Sequence, residues 1–579
     1  MSADFETKLV YDSRLNDISD KITFSVEKGA ADNTYQEFRA NSETPTSINF
    51  TVNPPSEANV IDRHMLIQST VSFSIFVGTA AVGAQLPPGT SAWEYSLRES
   101  MQSFPLARLM NTLTVSINNV STSIAMNQVF PALLRMLDQE FMQKYNGMCP
   151  TYLDNYGNLS DAVGRQNNPM SGYGGASFNQ FLLPRGCHPV EVQGFQIIRN
   201  GGVDNSPIST DFGDYWQINV VVKLTEPLFI SPFIFGDPKY NNSGFLGINN
   251  FQVLCNIDST MSRFWSTGLA VNNGGVADTS YTLQLTQFSD SKLLLNFLTS
   301  PIPLALPPKV TLPYSSYIAY VSNRNNPIAA KVERTAASTA SLTINSIQFE
   351  VIPDKLIIFV RRALADQTVR SSDAFLEIRS LSCTFANRAG LLSNANQEQL
   401  WELTKKNGCN LDYYSFKGLS GRYQGAAPYV GEYATCGSVL VINPSMDFGI
   451  QSPYLSNGSI GQYNLQINNL LVANNFDEEV SPEVVVVAVR SGIIVTSAGQ
   501  STLTTNMLNS QIVTDTIQND KNPMGSDVQQ RLVGGAGGAS EMPSDMMGNG
   551  TTGGARSGAG RSGGAKSAGK YSKLASLAM

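Results

Sequence analysis

The chain predicts an all-β protein with a few short helices, arranged as two strand-built halves. Three observations carry this. Period-two alternation recurs along most of the first 500 residues, as in Ile48, Phe50, Val52 and again in Leu113, Val115, Ile117. Charged residues make up only 15%, with Asn, Ser, Thr and Gly filling the polar positions of long loops. A proline-rich break near the middle is followed by a second run of the same pattern.

Residues 1–40 show little periodicity and read as an N-terminal arm. Strand signal starts at Ile48, ends at Pro54 and Pro55, and resumes through Leu66, Val71, Phe73 and Ile75. After the strand at 113–117, Asn118 and Asn119 mark a turn. The period then changes. Phe130, Leu133, Leu134, Leu137 and Phe141 share a helical face that is expected to cover an end or side of a barrel. A Tyr-, Asn- and Gly-rich loop follows over 152–177, then strands at 190–198, 216–224, 251–257 and 281–288, with 293–297 as one more candidate. That is the strand supply of an eight-stranded jelly roll.

Residues 300–314 hold five prolines and read as a stiff linker. Beyond it lie an alternating strand through Leu342, Ile344, Phe349 and Val351, an apolar run from Leu356 to Val360, and an extended segment with Phe375, Ile378 and Leu381. A helix over 396–406 comes next. Asn394 is its expected cap, with Gln397 three positions on as in a capping box; Leu400 and Leu403 give it an apolar side. Lys405 and Lys406 suit its C-terminal dipole and Gly408 stops it. A Tyr-rich loop over 412–437 precedes strands at 439–442, 465–471 and 484–489. The expected domains are therefore an arm (1–40), a first jelly roll (41–302), a second (303–500) and a Gly/Ala/Ser-rich tail (501–579).

The stretches IPDKLIIFVRR (352–362), FANRAGLL (385–392) and QLWELTKKNG (399–408) resemble the second barrel of double jelly-roll viral major capsid proteins, in the virophage and Polinton-type branch. NPPS (53–56), EPLFISPFIFGD (226–237) and RFWS (263–266) resemble further landmarks of that family, in the same order. The resemblance implies a major capsid protein, with three copies forming a pseudo-hexameric capsomer of an icosahedral shell around double-stranded DNA. It implies as partners other copies of the chain, neighbouring capsomers, and penton and minor capsid proteins. It places the protein in the virion, after assembly in host cytoplasm or nucleus. The alternative is a jelly-roll carbohydrate-binding or spike-like attachment protein, which the Tyr-rich loops at 152–173 and 413–433 would serve.

Candidate chemistry is sparse. His64 and His188 are the only histidines, and Asp62 near His64 shares a face with it on a strand. Glu478 and Glu479 read as solvated loop charges. No Walker loop, dinucleotide fingerprint or zinc spacing occurs, so no catalytic, cofactor-binding or metal-binding residue is assigned, no cofactor is expected, and the chain is read as a non-enzyme. The cysteines at 149, 187, 255, 383, 409 and 436 are scattered and read as free thiols. Arg361 and Arg362 end a strand, where capping and solvation account for them, with inter-subunit salt bridging as the other reading. The N-terminus lacks a signal-peptide core, and no apolar run reaches membrane-spanning length, so a cytosolic or nuclear chain is expected.

The net charge of −7 hides an asymmetry. The last 34 residues hold Arg556, Arg561, Lys566, Lys570 and Lys573 with no acid, leaving the body more acidic than the total. Three readings stay open for this tail. It is a solubilising segment, a non-specific phosphate contact to genomic DNA, or a substrate of an adenovirus-type maturation protease such as related viruses carry. The last follows from Leu532-Val533-Gly534-Gly535-Ala536 and Met546-Met547-Gly548-Asn549-Gly550, which resemble its recognition sequences and place cleavage at Gly535/Ala536 and Asn549/Gly550.

Overall fold

The computed structural model describes residues 32–54, 59–79, 99–102, 104–136, 190–198, 215–233, 244–267, 279–299, 309–332, 335–367, 369, 375–409, 411–423, 430–434, 437–449, 457–476, 478–497 and 499–505. The chain divides into two units at Ile517, and the second, Gln518–Met579, lies outside the described residues. So do His188, Cys149, Cys187, Cys436, the 152–173 loop and every tail residue singled out above.

Two antiparallel sheets build the first barrel. One runs β1-β13-β5-β10-β9, with β4 (Val60–Ile61) also on β13. Its strands are β1 (Asp32–Arg39), β5 (Leu66–Thr79), β9 (Glu191–Ile198), β10 (Tyr215–Pro227) and β13 (Thr279–Thr299). The other runs β2-β3-β11-β7-β8, from β2 (Ser42–Thr44), β3 (Ser47–Val52), β7 (Met110–Ile117), β8 (Val120–Ile124) and β11 (Phe251–Ile257). A small ribbon pairs β6 (Glu99–Met101) with β12 (Trp265–Thr267). Alternation sets the faces: Phe251, Val253 and Cys255 point into the core while Gln252, Leu254 and Asn256 point out.

The second barrel repeats the plan. Sheet β14-β23-β16-β21, with β24 (Gln500–Thr504) on β23, is made of β14 (Val310–Val321), β16 (Lys355–Arg362), β21 (Val439–Ile442) and β23 (Pro482–Ser497). Its partner β15-β22-β17-β18 is made of β15 (Ser338–Val351), β17 (Glu377–Phe385), β18 (Arg388–Leu391) and β22 (Ile460–Asn474). Single strands and hairpins follow one another in chain order from one sheet to the other in both halves, which is the jelly-roll connection.

Several local expectations change. Residues 32–39, inside the segment read as an arm, form β1 and pair along their length with β13. The candidates at 281–288 and 293–297 are one strand of 21 residues. Its register shifts between Ser289 and Lys292, where Asp290 takes φ +51°, and that bulge breaks the alternation that made two strands of one. The proline-rich stretch read as linker to residue 314 gives way to β14 at Val310; Pro313 fits because β14 is an edge strand. The loop over 412–437 contains a short helix (Tyr413–Lys417) and a ribbon of β19 (Leu419–Tyr423) with β20 (Val430–Ala434).

Four helices matter below: α1 (Pro105–Leu109), α2 (Met126–Leu134), α3 (Gln397–Lys406) and α4 (Tyr413–Lys417). The cap of α3 is Asn396, not Asn394. Its Oδ1 accepts from the Gln399 N–H (2.9 Å) and the Gln399 side chain accepts from the Asn396 N–H (3.0 Å). Both registers have the capping-box spacing. The one adopted puts Leu400 and Thr404 on the buried side, one turn apart. Leu403, named with Leu400 as the apolar side, is only partly buried.

Candidate functional site at the joint between the barrels

Strands β16, β21 and β23 read LIIFV, VLVI and VVVVAV, with no alternation. The cause is burial on both faces. Leu356, Ile358, Val360, Leu440, Ile442, Val484, Val486 and Ala488 face the second barrel's own core. Their neighbours Ile357, Phe359, Val439, Val441, Val485 and Val487 belong to the core cluster of the first barrel. The two barrels are therefore joined through one continuous apolar seam. Helix α2 carries Val129, Phe130, Leu133 and Leu134 into the same cluster, so it fills the joint instead of lying on an outer surface.

Polar contacts pin both ends of α2. Arg361, at the end of β16, is 2% exposed and ion-paired with Glu483 (2.7 Å). The same guanidinium donates to the Asn127 carbonyl (2.7 Å) and to Gln128 Oε1, on the first turn of α2. Burial pulls the Arg361 pKa below its ordinary value and Glu483 draws it back up; an arginine stays charged throughout. At the other end, the Arg135 guanidinium lies 4.4 Å from the Phe375 ring centroid, and Cys409 Sγ donates to the Arg135 carbonyl (3.5 Å). The expectation of a solvated Arg361 is thus overturned: it bridges the two barrels of one chain.

Around this core the joint is extended on both sides. Asn118 Nδ2 donates to Ser501 Oγ (3.0 Å) and the Ser501 N–H to Asn119 Oδ1 (2.8 Å), tying β24 to the β7–β8 turn. The Ser315 N–H donates to Ser231 Oγ (2.8 Å). Arg263, also buried, donates to Asp258 Oδ2 (3.0 Å) and Asn111 Oδ1 (2.9 Å), while the Asn127 amide donates to that same Asn111 oxygen. Burial raises the Asp258 carboxyl, but donors from Thr260 and Arg263 outweigh it and the pKa lies below the ordinary value. Deeper in the first barrel, Glu226 accepts from the N–H groups of Leu106 (2.7 Å) and Ala107 (2.8 Å) at the start of α1. Burial pushes its carboxyl up to about 8 against these donors and Arg108.

This arrangement positions two walls joined through one apolar seam. His64 Nδ1 lies 2.9 Å from Asp62 Oδ1, in the connection between β4 and β5 and not on a strand. Glu478 pairs with Arg362 (2.7 Å). Cys255, Cys383 and Cys409 are buried free thiols. Among the described residues no group of three or more His, Cys, Asp or Glu could hold a metal ion, and no helix is long and apolar enough to cross a membrane.

Comparison with known proteins gives these walls a context. The chain is 26% identical over 492 residues to the putative capsid protein V20 of Sputnik virophage, covering 83% of this chain and 76% of that one. Its fold matches the chain in the cryo-EM structure of Sputnik virophage with a TM-score of 0.70, at 24% identity, covering 91% and 98% of the two chains. The mavirus major capsid protein matches with a TM-score of 0.64 at 16% identity, covering 91% and 99%. Residues 314–492 match the C-terminal domain of major capsid protein V20. Residues 3–298, more than half of the chain, match the first domain of the Sputnik virophage major capsid protein, and the chain belongs to that family of capsid-forming structural proteins.

Proposed function

We propose that three copies of this chain close into a capsomer of pseudo-hexagonal outline, and that these capsomers tile an icosahedral shell around double-stranded DNA. The observation that supports this most is the joint. Two barrels of like sheet order are held at one angle by a seam buried on both sides of β16 and β23. A subunit with two similar, rigidly held barrels presents six near-equivalent barrels when three copies meet about one axis. Neighbouring capsomers, penton and minor capsid proteins are the partners such a block needs at its rim.

The tail is assigned from sequence alone. Arg556, Arg561, Lys566, Lys570 and Lys573 suit non-specific phosphate contact on the inner side of a shell. Cleavage at Gly535/Ala536 or Asn549/Gly550 would remove those cations, so an intact-mass spectrum of purified particles separates the two roles. The assembly itself is tested by light scattering on the native recombinant chain, with negative-stain microscopy of the same peak. Three chain masses and a hexagonal outline are expected. A single chain mass at micromolar concentration overturns the capsomer.

A further inference from the structure

Helix α1 packs against β10, β7 and α2, and its start is not closed by a side chain of its own. Phe104, the residue before it, takes φ +53°, an angle at which a non-glycine residue is held by its surroundings. The acceptors for its first N–H groups are the two carboxyl oxygens of Glu226, reaching across from the end of β10. Three residues on, Phe229 stands between the helices. Its ring centroid is 4.8 Å from that of Phe104 and 5.0 Å from that of Phe130, both edge-to-face. Arg108 of α1 lies over the same Phe130 ring, 5.9 Å from its centroid. One short segment thus holds α1 by a carboxyl and α2 by a ring. Helix α2 is the element that fills the joint, and Arg361 of the second barrel holds its first turn.

The electrostatics around Glu226 are simple. Strands β5 and β7 and helix α2 carry no titratable side chain, and Lys223 of β10 is exposed on the strand's other face. The charge that faces Glu226 is therefore Arg108 of α1. Beyond Arg108 lie Arg263 and Arg361, near enough to feel one another's charge, with Asp258 and Glu483 as their carboxylate partners. Protonated, Glu226 is a neutral group in a site closed to water. Deprotonated, it is a buried charge, which burial opposes more strongly than Arg108 and the two N–H donors favour it. Water relieves a buried charge. To reach this one it must part α1 from β10, and with α1 go Phe104 and Arg108, two of the groups that pack Phe229 and Phe130 in place.

We infer that Glu226 is a proton-operated latch on the joint: when it loses its proton, α1 is released and, through Phe229 and Phe130, α2 loosens between the barrels. The device lies within a single chain and does not depend on how copies assemble. Its bistable element is the α1–α2 pair, open or closed on Phe229.

Hydrogen exchange read by mass spectrometry on the full chain, between about pH 6 and 9 and corrected for the intrinsic pH dependence of amide exchange, tests this. Peptides of α1 and α2 are expected to exchange faster than those of β15 and β22 in the second core at every pH. Their protection should fall by up to about tenfold per pH unit and level off near pH 8, because the open form gives up a proton that the closed form keeps. In Glu226→Gln the α1 and α2 peptides should show no such fall. A slope kept in Glu226→Gln overturns the latch. So does exchange of α2 at the same rate and slope as β15 and β22, which means that the chain opens only as a whole. A sloping α1 beside a flat α2 confines Glu226 to α1 and overturns the link to the joint. Should Glu226→Gln misfold, Phe130→Leu breaks the contact with Phe229, so that α1 keeps its slope and α2 loses it; a slope kept in both overturns the latch. The wild-type comparison of α2 with β15 and β22 needs no variant and can overturn it alone.

Discussion

The two barrels use the same sheet in different ways. In the second, β16 and β23 are buried on both faces, and every residue from Leu356 to Val360 is apolar. In the first, the corresponding strand β5 alternates, with Ile67, Val71, Phe73 and Ile75 buried and Gln68, Thr70 and Ser72 half-buried on its other face. The topology is shared and the environment is not. Alternation therefore reports how many faces of a sheet are covered, and its loss in β16, β21 and β23 marks the place where the halves of the chain join.

The sharpest way to break this contrast is at its charged pin. Arg361→Ala leaves Glu483 buried without its partner and removes two donors to α2. A loss of about 3–5 kcal/mol is expected in chemical unfolding. Arg324→Ala, which removes an exposed pair with Asp366, should cost roughly 0–1 kcal/mol. Equal losses would mean that Arg361 is not the pin. Next in size are neighbours on β16. Ile357→Ala opens the seam and Ile358→Ala opens the second core; each should cost about 2–5 kcal/mol, because both side chains are 1% exposed. A strand covered on one face would show that cost at only one of the two positions, and Leu254→Ala on β11 should fall well below either. Thermal melts of the three variants decide it.

Much of the fold was legible because strand period and burial are coupled locally. The turn at Asn118 and the stop at Gly408 follow from single residues, with φ +53° and +96°. What was not legible depends on distant partners. Arg361 at a strand end looks the same in sequence whether it meets water or a helix; its partners lie 122 and more than 230 residues away. β1 has weak periodicity because it is an edge strand, its pairing supplied by β13.

A smaller effect probes the first barrel alone. Glu226 is raised to about 8 by burial, with the Leu106 and Ala107 N–H groups and Arg108 opposing. An unfolded glutamate titrates near 4.5. Between those values the folded chain keeps a proton that the unfolded chain has lost, so stability is greatest below the lower value and declines as pH rises through the upper one. The slope from this residue is at most about 1.4 kcal/mol per pH unit. Glu226→Gln, neutral at every pH, should flatten that part of the profile in urea titrations at several pH values between 5 and 8. An unchanged slope would show the carboxylate to be ionised throughout, held by its two backbone donors.

The smallest expected effect sharpens the comparison between the helices. Helix α2 has no side-chain cap and is held by the joint, whereas α3 depends on its capping box and on β21. Asn396→Ala removes the acceptor for the Gln399 N–H and should cost about 1 kcal/mol. Asn394→Ala, two residues earlier and exposed, should be close to neutral. The pair is diagnostic because both asparagines have a glutamine three positions on, so only the adopted register distinguishes them. A larger loss at Asn394 would move the start of α3 by two residues and take Trp401 out of its edge-to-face contact with Tyr413.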